Sequence, residues 1–227
     1  YISMRVFEHK HIQLNELSTE SIGGKRHYVT PEGKLPSITS VLSVLSIDGI
    51  KAWRARVGEK EANKISTQAA RRGTNVHQMC EDYINNELNK DKFLPHEIES
   101  FIPLQKELDK SIGLVYAQEV PMYSTYLGVA GRVDLIAEWD GRLSIIDFKT
   151  SRKVKKKEWI SGYFQQGAAY AVMFEERTGI PVDKIVIAMT VDGESDASVF
   201  VEKRDNWVST LQETIQLYED RYGIPRS

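Results

Sequence analysis

The sequence predicts a mixed α/β domain, and three features carry that prediction. Asp140-Gly141 is a two-residue turn signal with apolar runs on both sides, which reads as a β-hairpin. Segments with apolar residues at helical spacing lie before and after it. The continuous apolar run 184–191 then reads as a buried strand following a helix. The 227 residues, 41 % of them hydrophobic, are enough for one generous domain with a real core.

In chain order, residues 1–35 read as irregular structure with short strands, because Gly23-Gly24 and Pro31-Glu32-Gly33 are turn signals around His27-Tyr28-Val29. Pro36 is placed to open a helix that Ser37 or Thr39 caps, with Ile38, Val41, Leu42 and Leu45 at helical spacing. Residues 49–70 read as a charged helix or helix pair whose thin apolar stripe is Ala52, Trp53, Val57, Ala62 and Ile65. Gly73 is expected to end it, and Thr74 to cap a new helix with Val76, Met79, Cys80, Tyr83, Ile84 and Leu88 on its apolar face. His77 and Glu81 are four apart, so they share one side of that helix as a pair able to face a metal ion.

A further helix is expected over 95–111, opened by Pro95, with Pro103 arguing for a kink or a later start. A strand over 114–122 follows, which Pro121 either ends or confines to an edge. After the hairpin, 156–178 reads as a long helix burying Trp159, Tyr163, Phe164, Gly167, Tyr170, Ala171 and Phe174, stopped by Gly179. Strands 184–191 and 197–201 are joined at Asp192-Gly193, and Asp205 caps a last helix carrying Trp207, Leu211, Ile215, Leu217 and Tyr218.

The formal net charge of −2 does not mark a nucleic-acid binder overall. Basic residues are instead grouped: Lys51, Arg54 and Arg56; Arg71 and Arg72; and Arg152, Lys153, Lys155, Lys156 and Lys157 directly after the hairpin. One cysteine, Cys80, excludes an internal disulfide, fits a reducing compartment and reads as a packing residue. No stretch is apolar for long enough to span a bilayer and the opening residues carry no secretory pattern. An intracellular setting is therefore expected: a bacterial or phage-infected cytoplasm, or an organelle matrix after removal of a targeting segment.

The hairpin holds the chemistry. Side chains alternate along a strand, so Asp147 and Lys149 share one face and Phe148 takes the other. Asp134 and Asp147 stand at similar distances from the turn and so meet across the ladder. Two carboxylates converging in an apolar hairpin repel each other and lose hydration. A divalent cation between them removes that cost, and hard cations such as Mg²⁺ favour carboxylate oxygens. A lysine one pleat away can then polarise a water or stabilise charge on a phosphate oxygen.

In this order, Asp134 followed by Asp147-Phe148-Lys149 across a hairpin, the chain resembles the PD-(D/E)XK nuclease superfamily, with Val133 in place of the proline of the name. His77 before the sheet and Gln166-Gly167-Ala168-Ala169-Tyr170 after the lysine strand resemble its RecB-like branch. Residues Leu35 to Leu42, then Ala52-Trp53-Arg54, Gly73-Thr74 and His77, look similar to the group that contains the mitochondrial genome maintenance exonuclease and its phage and bacterial relatives.

The resemblance implies an αβββαβ core, a central mixed sheet flanked by helices, with an N-terminal helical arch. It implies one nuclease domain over 1–227: a segment 1–34, the arch 35–72, the nuclease core 73–203 and a C-terminal helix 204–227. It implies a metal-dependent DNA exonuclease acting on single-stranded ends in replication, recombination or repair. His77, Asp134, Asp147 and the Phe148 carbonyl would hold one or two Mg²⁺ or Mn²⁺ ions, with Glu81 as a further ligand. Asp134, Asp147 and Lys149 are then catalytic, Lys149 positioning the attacking water. Gln166 and Tyr170 would orient the scissile strand, Ser37 and Thr39 bind a phosphate, and Thr150, Ser151 and Arg152 line the strand exit. Single-stranded DNA is the expected partner, with replication or recombination proteins as further partners of a monomer. No membrane is expected, and one cysteine cannot ligate an iron–sulfur cluster. An endonuclease of the same fold and a non-catalytic nucleic-acid-binding module remain the alternatives.

Overall fold

The computed structural model describes residues 5–223. A small antiparallel meander opens it: β1 (Thr19–Ile22), β2 (Lys25–Thr30) and β3 (Gly33–Pro36). Four helices follow, α1 (Ile38–Leu42), α2 (Ile47–Val57), α3 (Glu59–Ile84) and α4 (Pro95–Ser111). The central sheet is built from β4 (Ile112–Ser124), β5 (Val129–Trp139) and β6 (Arg142–Ser151), then β7 (Lys184–Val191) and β8 (Ser198–Lys203). Helix α5 (Ser161–Thr178) connects β6 to β7, and α6 (Val208–Tyr222) closes the chain.

The five strands lie in sequence order, antiparallel except for the β6–β7 pair. That parallel pair needs a crossover longer than a turn, and α5 supplies it. The sheet is therefore mixed, and helix, three strands, helix, strand is the predicted core. Both faces are covered. Along β7 the side chains alternate between two cores: Ile185, Ile187 and Met189 meet α1, α5 and α6, whereas Val186 and Ala188 meet α3 and α4. A strand buried on both sides is apolar throughout, which is why 184–191 reads as one continuous run. β4 is an edge of this sheet, consistent with Pro121 inside it. Among the described residues no helix is long and apolar enough to cross a membrane.

Several helix boundaries differ from expectation. α3 runs through Gly73 without a break, and Thr74 caps nothing. Gly in a helix costs about 1 kcal/mol relative to Ala. Burial of Val76, Met79, Cys80, Tyr83 and Ile84 outweighs that. The break falls at Gly58 instead, whose φ of 90° suits glycine. α2 buries none of its residues: Ala52 and Val57 are exposed and Trp53 is half-buried, so of the expected stripe only Ala62, on α3, is buried. α4 continues through a buried Pro103. Pro36 ends β3, and Ser37 rather than Thr39 caps the short α1, whose residues 43–45 turn into a 3₁₀ segment. α5 starts at Ser161, after a 3₁₀ turn that leaves Trp159 exposed, and Ile160 is the first residue the core covers. Asp205 sits in a 3₁₀ turn ahead of α6, whose N-cap is Trp207, and Leu217 is exposed.

These elements bring the chain from one helical layer to the other. α1 packs with α5 and α6, and α3 packs with α4 and β6, so the uncovered α2 is the link between the two layers. The crossover fits closely at Gly167, where an added Cβ would lie 2.3 Å from Ile185 Cγ2. Gly167→Ala is expected to lower the free energy of unfolding by about 1–3 kcal/mol through overpacking, despite alanine's better helix propensity. Urea titration with an unchanged slope checks this, and a stabilised variant would contradict the packing.

Candidate active site

Asp140 and Gly141 both have positive φ, 52° and 82°, as a tight right-twisted hairpin turn requires. That turn sets the register, with paired residues from Trp139↔Arg142 out to Leu135↔Ile146. Asp134 and Asp147 are the next positions on each strand. There the carboxylate replaces the ladder: Phe148 N–H donates to Asp134 Oδ2 at 2.9 Å. Lys149 Nζ lies 2.8 Å from Asp147 Oδ2, so these two share a face as expected. Phe148 points the other way, its ring 6.1 Å from that of His77 and edge-on to it. His77, on α3, places Nε2 2.7 Å from Asp134 Oδ1.

The structure adds a residue that sequence reasoning missed. Glu119, on β4, lies 3.4 Å from His77 Nδ1. One ligand atom each from His77, Glu119 and Asp134 lie within 4.8 Å of one another, close enough to hold one ion. Glu119 has φ of 49°, and the β4–β5 pairs run from Gln118↔Leu135 to Val120↔Val133 without it. That left-handed residue is strained in a strand, and strain of this kind collects at functional sites. The available signal was an acid inside the mostly apolar strand 114–122. Glu81 and Asp147, both expected as ligands, are not in the trio; Asp147 stands next to it, hydrogen-bonded to Asp134. Glu81 lines the same pocket, of about 440 Å³, with His77, Glu119 and Lys149.

Electrostatics explains why these groups call for a cation. Burial would lower the pKa of His77, but the hydrogen bond and charge of Asp134, with Glu119 and Asp147, raise it to about 9. Burial and the Asp134 charge push Asp147 up to about 8. Burial and the same charge push Glu119 up to about 7. Burial would raise Asp134 as well, but His77, the Asp147 carboxyl and the Phe148 amide hold it below the usual range. In the ion-free site, protons on Asp147 and His77 thus do what a cation would do. Glu119 Oε1 and Asp147 Oδ2 are buried, with His77 Nδ1 at 3.4 Å and Lys149 Nζ at 2.8 Å as their charged neighbours. Buried carboxylate oxygens beside an imidazole are the donor set a hard or borderline divalent ion takes. These residues fit such an ion.

Lys149 is held from behind. It donates to Gln166 Oε1 at 3.0 Å, and Gln166 Nε2 donates to the Tyr170 hydroxyl at 3.0 Å. Gln166 and Tyr170 are both buried, so their contacts are with the lysine and with each other rather than with solvent. The Lys149 ammonium also lies 4.5 Å from the centre of the Tyr163 ring. Burial would lower its pKa, but Asp147 and Asp134 raise it and keep it charged. The remaining predicted residues surround this group. Ser37 is buried and spends its Oγ on the Ser40 N–H, while Thr39 is exposed. Thr150 lines the site pocket, the Ser151 carbonyl accepts from Arg72, and Arg152 is exposed.

A profile of the PD-(D/E)XK nuclease superfamily matches residues 86–218, more than half of the chain. The chain belongs to that superfamily, whose members are nucleases dependent on divalent metal ions. The match spans Glu119, Asp134, Asp147 and Lys149 and begins after His77. A solved structure described as the crystal structure of SSO0001 is similar at a TM-score of 0.46, with 14 % identity over 84 % of this chain and 77 % of that chain. Comparison with curated proteins finds no match.

Two expectations follow. His77, Glu119 and Asp147 bind a proton more tightly folded than unfolded, at about 9, 7 and 8 against ordinary values of 6.5, 4.5 and 3.8. The stability they contribute is complete in acid and is lost as pH rises through those folded values. Asp134 acts in the opposite sense, only below the usual carboxylate range. The melting temperature of ion-free protein should therefore fall from about pH 5 to about pH 9. The increment from added Mn²⁺ should grow over the same window, since the ion displaces those protons. Calorimetric melts at several pH values test this, and an increment that shrinks with pH would contradict it. Glu119→Gln should weaken Mn²⁺ binding at least about tenfold with the fold retained, and unchanged affinity by titration calorimetry would remove Glu119 from the site.

Proposed function

We propose that this nuclease is a Mg²⁺- or Mn²⁺-dependent exonuclease of the RecB-like branch that degrades single-stranded DNA from its ends. The observation that carries the reading is the His77–Glu119–Asp134 cluster standing against the Asp147–Lys149 pair, with Asp134 and Asp147 hydrogen-bonded to each other. These carboxylates, His77 and the Phe148 carbonyl would hold the ion, which would lower the pKa of a bound water and offset negative charge at the phosphate. Lys149 supplies a fixed cation beside it, held in place by Gln166 and Tyr163, and donates toward the phosphate oxygens. Gln166 and Tyr170 act through Lys149 in this reading. All the groups come from one chain, so a monomer suffices.

Preference for a single strand is supported by the approach to the site. A cleft of about 1240 Å³ runs along the first half of α3, past the start of α4, to Thr150, Ser151 and Arg152. Thr150 lines both this cleft and the site pocket. Lys64, Arg71 and Arg152 line it with no carboxylate partner among the described residues, while Arg72 is paired with Asp192. Trp53 on α2 also lines the cleft. A basic groove with an aromatic group tracks a flexible strand better than a rigid duplex. α2, linking the two helical layers without being buried, is the segment that would arch over a threaded end.

The test compares linear and covalently closed circular single-stranded DNA in Mn²⁺. The linear strand should be degraded and the circle spared. Asp147→Asn and Lys149→Ala should each lower the rate by more than about a hundredfold without loss of the folded circular-dichroism spectrum. A cut circle would favour an endonuclease, and binding without cleavage of either would favour a non-catalytic module. Near-wild-type rates in both variants would remove the assigned site.

A further inference from the structure

The loop between β6 and α5 has been used above only at Arg152, which lines the cleft. It carries Arg152, Lys153, Lys155, Lys156 and Lys157 in six positions, followed by Trp159. Of these cations only Lys157 has a carboxylate partner among the described residues, Glu202 at 2.7 Å. Trp159 is 64 % exposed. The other three tryptophans are accounted for: Trp139 is buried, Trp207 packs on Phe164 at 5.1 Å, and Trp53 is half-buried in the cleft wall. Lys156 Nζ lies 5.4 Å from the centre of the Trp159 ring, and Val154 beside it is 56 % exposed.

Its position matters as much as its exposure. Trp159 precedes Tyr163 by four residues, and the Tyr163 ring receives the Lys149 ammonium. The patch thus stands on the α5 side of the catalytic lysine. The large cleft opens on the α3 and α4 side of the same strand end, reached through Thr150 and Arg152. A strand crossing the site from that cleft would leave toward the loop. An open indole face with one ammonium 5.4 Å away and two further unpaired lysines in the same loop suits a nucleobase, whose own phosphates are the matching anions. A protein partner would be met by this patch only if it were strongly acidic, because Trp159 and Val154 are the loop's only exposed apolar side chains beside four unpaired cations.

We propose that Trp159 is a stacking platform for one unpaired nucleobase of the substrate strand, with Lys153, Lys155 and Lys156 binding the flanking phosphates. This rests on the reading of the protein as acting on single-stranded DNA. It assigns a binding subsite, and with it a minimum substrate length, to a loop outside the metal site.

The test measures binding of a short oligodeoxythymidylate to the full chain with Ca²⁺ in place of the catalytic ion, by anisotropy. Trp159→Ala should weaken binding roughly five- to a hundredfold, and Trp159→Phe should recover most of it. An oligonucleotide series with one abasic position moved along the strand should lose affinity for the wild type at one position. Trp159→Ala should be indifferent at that position. Lys156→Gln should weaken binding and flatten its salt dependence. Wild-type affinity in Trp159→Ala, or an equal loss for intact and abasic strands, would overturn the stacking subsite and leave the loop as a face for a protein. Wild-type binding with the abasic signature but no cleavage would defeat the exonuclease reading while keeping this one. Cleavage with unchanged Trp159→Ala affinity would do the reverse.

Discussion

The structure depends on a repulsion that folding imposes. A tight turn at Asp140-Gly141 fixes the hairpin register, and the register brings Asp134 and Asp147 together where the ladder ends. β4 adds Glu119 from the other side. Removing several carboxylates from water costs several kcal/mol per ion unless positive charge is brought in. The chain supplies part of that charge, from Lys149 and from a protonated His77. Protons on Asp147 supply the rest when no ion is bound. Folding thus builds a site whose affinity for a small cation is the other side of its electrostatic cost.

The remaining architecture holds that site in place. Because β6 is central and covered on both faces, Asp147 and Phe148 have no freedom to swing out. α3 approaches one face and delivers His77, while α5 approaches the other and holds Lys149 through Gln166 and Tyr163. The two helical layers are joined by a helix that packs into neither core. Such a segment contributes little to stability, and its Trp53 is instead turned to the cleft.

What could be read from the residues follows from how local each signal is. The hairpin, β7 and the C-terminal stop of α5 at Gly179 were legible because a turn pair, an unbroken apolar run and a left-handed cap are each local. Asp134, Asp147 and Lys149 were brought together by turn arithmetic alone. Glu119 was not, because its part depends on lying opposite Asp134 in the β4–β5 ladder, a long-range pairing with no mark in the sequence beyond an acid in a mostly apolar strand. Gly73 misled because a glycine's local cost was weighed without the packing that overrides it. Trp159 misled in the opposite way: the helical spacing to Tyr163 was real, but the helix begins after it. Gln166 and Tyr170 were expected to orient the scissile strand; both are buried, Gln166 accepting from Lys149 and Tyr170 accepting from Gln166.

The central claim is that these carboxylates share one divalent ion. Crystals soaked in Mn²⁺ and measured at a wavelength where manganese scatters anomalously test it most directly. The account predicts an anomalous peak at coordination distance from both Asp134 and Asp147, with His77 or Glu119 completing the shell. A peak elsewhere on the chain, or none between these two residues at saturating Mn²⁺ and neutral pH, would contradict it.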